Sequence, residues 1–182
     1  MIPPGLSFIA ISQKAWEAAE KSNLPKFYLN LKSYKKSLLS NSNPYTPAVN
    51  LVFALDVSLK MMREEGLDNI FFRHNKHKLA MSNAVKALNL KLFADEKYLS
   101  PSITAIKTEG IDAEEFRKKI KNNFDILLAG GQDHLKGKIF RVGHLGYVND
   151  RDIITVISAI SNTLLDLGKI TSQQAGLSLI HI

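Results

Sequence analysis

Residues 138–160, KIFRVGHLGYVNDRDIITVISAI, place one arginine where an arginine is costly. Ile139, Phe140 and Val142 surround Arg141 in a pattern that predicts a short buried strand. Asn149 and Asp150, following Gly146, predict a turn and a helix N-cap ahead of the apolar run at 153–165. A guanidinium in such a strand needs a partner, because burying an unpaired charge is expensive. Two partners suit it. One is a carboxylate of the protein, which makes Arg141 structural. The other is the carboxylate of a ligand, to which the planar guanidinium fork is well matched. The stretch alone leaves both open.

Upstream of the arginine strand, Gly130-Gly131 predicts a loop, and residues 125–129 (DILLA) a further strand. Before these come a helix capped by Asp112 that carries Phe116 and Ile120, and strands at 102–106 and 91–93. A long helix from Asp68 to about Leu88 carries Ile70, Phe71, His74, His77 and Met81. His74 and His77 share a face, yet no set of carboxylates or cysteines completes a metal site, so they read as surface histidines. Gly66 ends an earlier helix in which Val49, Val52, Phe53, Leu55, Leu59 and Met62 recur at helical spacing. Thr46 before Pro47 predicts the start of that helix, the hydroxyl capping while proline occupies the first turn.

Toward the beginning, residues 27–39 predict a helix with Leu31, Tyr34 and Leu38 on one face. Ser12 caps a helix through about residue 22, with Trp16 and Ala19 facing inward. Residues 6–11 (LSFIAI) follow the Pro3-Pro4-Gly5 turn and have a buried-strand pattern, but no companion sheet is legible nearby. The helix that opens at Thr46 reads as a connection between two units.

At 182 residues and 45% hydrophobic, the chain is long enough to bury a core. Without cysteine it forms no disulfide or thiolate metal site, which fits a reducing compartment, and a cytoplasmic location is expected. No apolar run approaches the ~20 residues that span a bilayer, and the opening MIPPGLSFIAIS has no basic leader region. The formal charge of +7 raises nucleic acid as a partner. Its clusters, Lys35-Lys36, Lys76 with Lys78, and Arg117 to Lys121, lie in separate helical stretches interleaved with apolar positions, and no binding motif accompanies them. Neither nucleic acid nor membrane is expected as a partner.

Taken in order, several motifs resemble class V pyridoxal-phosphate aminotransferases, the serine-pyruvate, alanine-glyoxylate and serine-glyoxylate line that includes soluble hydrogenase subunits. Pro3-Pro4-Gly5 resembles the end of the pattern S-Q-K-x-x-x-x-P-P-G that joins the Schiff-base lysine to a strand of the large domain. Tyr45-Thr46-Pro47-Ala48-Val49 resembles the loop and helix start whose threonine reaches the cofactor phosphate of the neighbouring subunit. The run from Gly130-Gly131 through Phe140-Arg141-Val142-Gly143-His144-Leu145-Gly146 resembles the small-domain segment whose arginine holds the substrate carboxylate. Lys14 follows Ser12-Gln13 and so repeats S-Q-K on its face, but it lies downstream of the Pro-Pro-Gly and is not the cofactor lysine.

The resemblance implies an α/β chain with an α+β small domain, the C-terminal part of a fold-type I pyridoxal-phosphate transferase. Residues 1–66 are then the remnant of the large domain with its connecting helix, 67–168 the small domain, and 169–182 a tail. The last six residues, LSLIHI, resemble translated sequencing-adaptor read-through. The implied activity is transfer of an amino group from a small amino acid, serine or alanine, to a 2-oxo acid such as glyoxylate or pyruvate. Thr46 and Tyr45 are the implied cofactor-binding residues and Arg141 the substrate-binding one, in a homodimer with no metal. The Schiff-base lysine lies upstream of Met1, so this chain alone is expected to be inactive. The rival reading is a non-catalytic α/β binding or interaction module.

Overall fold

The structure, a computed structural model, describes residues 2–171, so the LSLIHI segment lies outside the described residues. The chain divides into two compact units between Met61 and Met62. In the first, α1 (Gln13–Lys21) is capped as its sequence predicts: the Ser12 hydroxyl accepts from the Ala15 N–H at 3.2 Å. Trp16 and Ala19 are half-buried. The second helix, α2 (Leu31–Leu39), begins later than its apolar pattern suggests. A turn closed by the Asn30 N–H on the Phe27 carbonyl uses up residues 27–30, and the Asn30 side chain then caps the helix on Lys32 N.

Residues 6–11 do not form the predicted strand. They run without a ladder partner among the described residues, and Phe8 and Ile9 are 75% and 68% exposed. An apolar alternation records a tendency to be buried, whereas a strand needs a neighbour to bond to. The third helix, α3 (Val49–Glu65), forms, but Val49, Val52, Phe53 and Leu59 are exposed, and Ser58 is the buried residue of that helix among those described. Its periodicity gave the helix correctly, and most of the apolar residues that revealed it are exposed among the described residues.

Gly66, at φ 83°, ends α3 and begins α4 (Leu67–Ala87), a turn that a side chain would strain. Then follow β1 (Lys91–Leu92), β2 (Ile103–Lys107), α5 (Ala113–Phe124), β3 (Ala129–Gly130), β4 (Ile139–Gly143) and α6 (Asp150–Asp166). The strands make one antiparallel sheet in the order β1-β2-β4-β3. Asp112 caps α5 on two N–H groups, and Asn149 with Asp152 closes a full capping box on α6, as acidic and amide residues before apolar runs predict. The strand predicted at 125–129 shrinks to Ala129–Gly130, because Asp125 is still the left-handed C-cap of α5 and Leu127 points to solvent.

The core lies between one face of the sheet and α4, α5 and α6. Met81, Val85, Phe116, Ile120, Ile157, Ile160 and Leu164 meet Ile106, Phe140 and Val142 there, with the Phe116 and Phe140 rings 5.1 Å apart. Ile106 stands opposite Phe140 in the ladder, so the alternate residues Ala105, Arg141 and Ala129, also in register, share the opposite face.

His77 departs from the surface placement that its sequence suggests, and a second histidine, His144, is buried as well. His77 is 1% exposed, with Nε2 3.0 Å from Asp150 Oδ1; the same carboxylate binds Lys76 at 2.6 Å, joining α4 to the start of α6. Burial pushes the His77 ring below the ordinary histidine range against the pull of Asp150. His144 is fully buried, its Nε2 2.8 Å from the Thr104 hydroxyl. Burial brings it down to about 4; the neighbouring His77 and His74 act in the same direction, and the Pro101 carbonyl opposes them.

An unfolded chain therefore takes up a proton near pH 6.5 that the folded chain refuses until about pH 4. Stability present above pH 6.5 is lost as the pH falls through that window, by about 3 kcal/mol from this ring. His77, also lowered by burial, acts in the same direction, while Asp150 and Glu65, held low by Lys76 and Arg73, begin to lose their contributions as the pH falls below the ordinary carboxylate range. His144→Gln keeps a polar partner for Thr104 without titrating. Its melting temperature should vary less between pH 6.5 and 4 than that of the parent, and identical slopes would remove His144 as the source.

Candidate carboxylate-binding site

Arg141 is the third of the five residues of β4. Its cross-strand neighbours on both sides are alanines, Ala105 on β2 and Ala129 on β3, so the arginine shares the face opposite the core with small side chains. The side chain is half-buried, and Nε donates to the Gly130 carbonyl at 2.9 Å. No carboxylate among the described residues pairs with it; their ion pairs join other partners, such as Arg73 with Glu65 and Arg117 with Glu114. Of the two partners that the sequence left open, the protein carboxylate is therefore not found among the described residues. The two terminal nitrogens make no hydrogen bond among the described residues.

The glycines before this strand are packing requirements. A Cβ on Gly130 would meet Arg117 Nη1 and Glu114 Oε1, each at 2.6 Å, and one on Gly131 would overlap the Leu135 carbonyl. Gly130 belongs to β3 rather than to the predicted loop.

Sequence reasoning missed the residues that hold the loop after Arg141. Arg73 binds Glu65 through Nε and Nη2 at 2.6 and 2.9 Å, and its Nη1 donates to the carbonyls of Gly146 and Val148 at 3.0 and 2.8 Å. Beside it, His74 Nδ1 meets the Ile70 carbonyl at 2.7 Å and Nε2 accepts the Gly146 N–H at 3.1 Å. That pair of bonds assigns the neutral tautomer with its proton on Nδ1. The local signal was slight: an arginine and a histidine adjacent in a helix, and a glycine whose φ of 82° needs its conformational freedom.

The other candidates lie in the first unit. The Tyr45 ring stacks tilted on Tyr28 at 4.8 Å, with Phe27 and Tyr34 at 5.8 and 6.1 Å, and its hydroxyl donates to the Phe27 carbonyl at 3.2 Å. Thr46 is exposed and is not the predicted cap. The helix opens at Val49, with the Pro47 and Ala48 carbonyls receiving the first N–H groups, and the Thr46 hydroxyl makes no hydrogen bond among the described residues. Lys14 is exposed in the first turn of α1. Among the described residues no helix is long and apolar enough to cross a membrane, and no group of three or more metal-binding side chains converges.

No family model matches the chain. It is 54% identical over 168 residues to the soluble hydrogenase 42 kDa subunit of Anabaena cylindrica, covering 92% of this chain and 44% of that protein. It is 35% identical over 170 residues to the L-aspartate–glyoxylate aminotransferase of Paracoccus denitrificans, covering 92% of this chain and 43% of that one. Among solved structures, the ureidoglycine-glyoxylate aminotransferase of Bacillus subtilis matches with a TM-score of 0.83 and 27% identity, over 93% of this chain and 46% of that chain. The chain thus spans less than half the length of these relatives. By sequence and by fold its relatives and structural neighbours are class V aminotransferases, whose C-terminal part it matches.

Proposed function

We propose that this chain carries the substrate-carboxylate contact and a cofactor-phosphate contact of a pyridoxal-phosphate transaminase. The reaction moves an amino group from a small amino acid, serine or alanine, to a 2-oxo acid such as glyoxylate or pyruvate. The observation that carries the reading is Arg141, a half-buried arginine tethered through Nε to a backbone carbonyl, with no carboxylate partner among the described residues. Aminotransferase names among its relatives support the reaction class.

Pyridoxal phosphate, when bound, supplies the electron sink for chemistry at the substrate α-carbon. The part left to this chain is orientation. Because Nε is used by Gly130, the terminal nitrogens of Arg141 receive both carboxylate oxygens end-on, fixing the plane of that group and the rotation about the α-carbon. Thr46 fits a phosphate: it is exposed, and its O–H has no acceptor among the described residues. Tyr45 belongs to the same contact by ordering the loop, since its one O–H is already donated to Phe27. The phosphate is that of a neighbouring subunit in a homodimer, and the exposed apolar side chains of α3 support such an assembly. We place the protein in the cytoplasm and assign no cofactor lysine to this chain, which alone does not transaminate.

A second reading, a non-catalytic interaction module, draws on the hydrogenase-subunit name of the Anabaena cylindrica relative. The two separate in a chimera that joins this chain to the N-terminal portion of that relative: transaminase turnover supports the first and its absence the second.

In that chimera Arg141→Lys keeps the charge but loses the fork, and kcat/KM for alanine or serine should fall by tenfold or more, roughly one charge-assisted bond. The melting temperature of the isolated chain should fall only by a few degrees, because the Gly130 hydrogen bond is lost but no ion pair is broken. A large loss of stability with unchanged kinetics would make Arg141 structural.

Thr46→Ala should weaken pyridoxal-phosphate binding, read by fluorescence titration, by about five- to tenfold. Chain stability should stay within about 0.5 kcal/mol, as for a surface residue that caps nothing. Lost stability with intact cofactor affinity would overturn this assignment. The chain alone, incubated with the cofactor and borohydride, should show no adduct at a single lysine; a stoichiometric adduct on Lys14 with turnover would overturn the assignment of inactivity.

A further inference from the structure

Arg141 is aimed by a carbonyl on the least secured strand of the sheet. β3 is two residues long, lies at the edge, and is laddered only to β4. Short edge strands of this kind fray readily. Gly131 N bonds to the Ile139 carbonyl, and Gly130 stands opposite Phe140. By the alternation of an antiparallel ladder, the Gly130 carbonyl then points away from β4, toward the open edge. Among the described residues it has no strand to bond to, and Arg141 Nε takes it from the face opposite the core at 2.9 Å.

On the other face of the same two residues sits a second arginine. Arg117, from α5, donates through Nε to the Leu128 carbonyl at 2.8 Å and through Nη1 to Glu114 at 2.6 Å. The Arg117 and Glu114 groups lie directly against Gly130, filling the space a Cβ would need. The carbonyls flanking Ala129, those of Leu128 and Gly130, are thus each held by an arginine, one from each face.

We infer that Arg117 is a positioning residue for Arg141: it braces β3 from below, fixing the Gly130 carbonyl that orients the Arg141 guanidinium toward a carboxylate. The inference rests on the carboxylate-binding reading of Arg141. With Nε committed, the direction of the terminal nitrogens is inherited from the Gly130 carbonyl, and misplacing a binding group by ~1 Å is enough to cost much of its effect. Gly130 serves the same end, since only a residue without a side chain lets the Arg117–Glu114 pair lie against the strand.

The test is nitrogen-15 NMR of the arginine Nε–Hε groups in the whole chain, with the Arg141 signal assigned by its loss in Arg141→Lys. Arg117→Gln should speed exchange of the Arg141 Nε–Hε proton with water by about tenfold, the equivalent of losing one hydrogen bond. It should also move that signal toward the position of a free arginine. Arg117→Lys, which keeps a cation beside Glu114 and a donor for Leu128, should restore part of the protection. Should Arg117→Gln fail to fold, Glu114→Gln, which frees Arg117 from its ion pair, must raise the exchange rate instead. An Arg141 exchange rate within about twofold of the parent in these variants, with only the melting temperature lowered, overturns the inference and leaves Arg117 a brace of the fold. Titration of the parent with pyruvate separates the two readings. An Arg141 signal that ignores pyruvate removes the carboxylate role, while the exchange rates still decide whether Arg117 sets the geometry.

Discussion

The ladder between β2 and β4 fixes everything that the candidate site depends on. Its register sets Ile106 opposite Phe140 and Ala105 opposite Arg141. Side chains alternate along a strand, so burying Phe140 against Phe116 and the helices commits Arg141 to the other face. A slip of one residue would put the guanidinium into the apolar core and Phe140 into solvent, an exchange costly on both counts. The hydrophobic core thereby aims a polar group that it never touches.

The chain on either side of β4 is held by side-chain bonds to backbone groups. Before β4, the arginines at 117 and 141 hold the carbonyls of Leu128 and Gly130. After it, Arg73 holds those of Gly146 and Val148, and His74 accepts the Gly146 N–H. Three guanidiniums thus serve the backbone of loops and of an edge strand, where orphaned carbonyls would otherwise need water. Arginine suits the task because its several donors lie in one rigid plane and its charge persists at any physiological pH. Arg73 and Arg117 also carry carboxylate partners, Glu65 and Glu114, whereas Arg141 has none among the described residues.

What the sequence made legible was what is local. Ser12, Asp112 and Asn149 announced their helices because a capping side chain bonds only two or three residues away. The Arg141 strand was legible because a run of apolar residues around it had to be buried. Thr46 misled by the same logic: a threonine before proline is a good cap, but the chain turns into helix three residues later and the hydroxyl is left over. His77 misled because its burial comes from α6 packing on α4, a contact between residues 73 positions apart. The apolar stripe of α3 and the 6–11 segment record burial that the described chain does not provide. Order and spacing of motifs gave the family, which no single motif could.

The partner of Arg141 was the least legible feature, because a backbone carbonyl carries no letter in a sequence. Sequence reasoning weighs a buried cation against the carboxylates it can find, and here the tether is Gly130, a residue with no side chain at all. A neutral carbonyl satisfies one donor but leaves the positive charge uncompensated. Half exposure keeps that tolerable, since solvent still reaches the guanidinium, and the alanines on either side withhold the apolar cover that would make it expensive. A protein carboxylate in place of the carbonyl would stabilise the folded chain more and would compete with any anionic ligand for the same fork. The tether therefore orders the side chain without neutralising it, the condition under which an arginine remains able to bind a carboxylate.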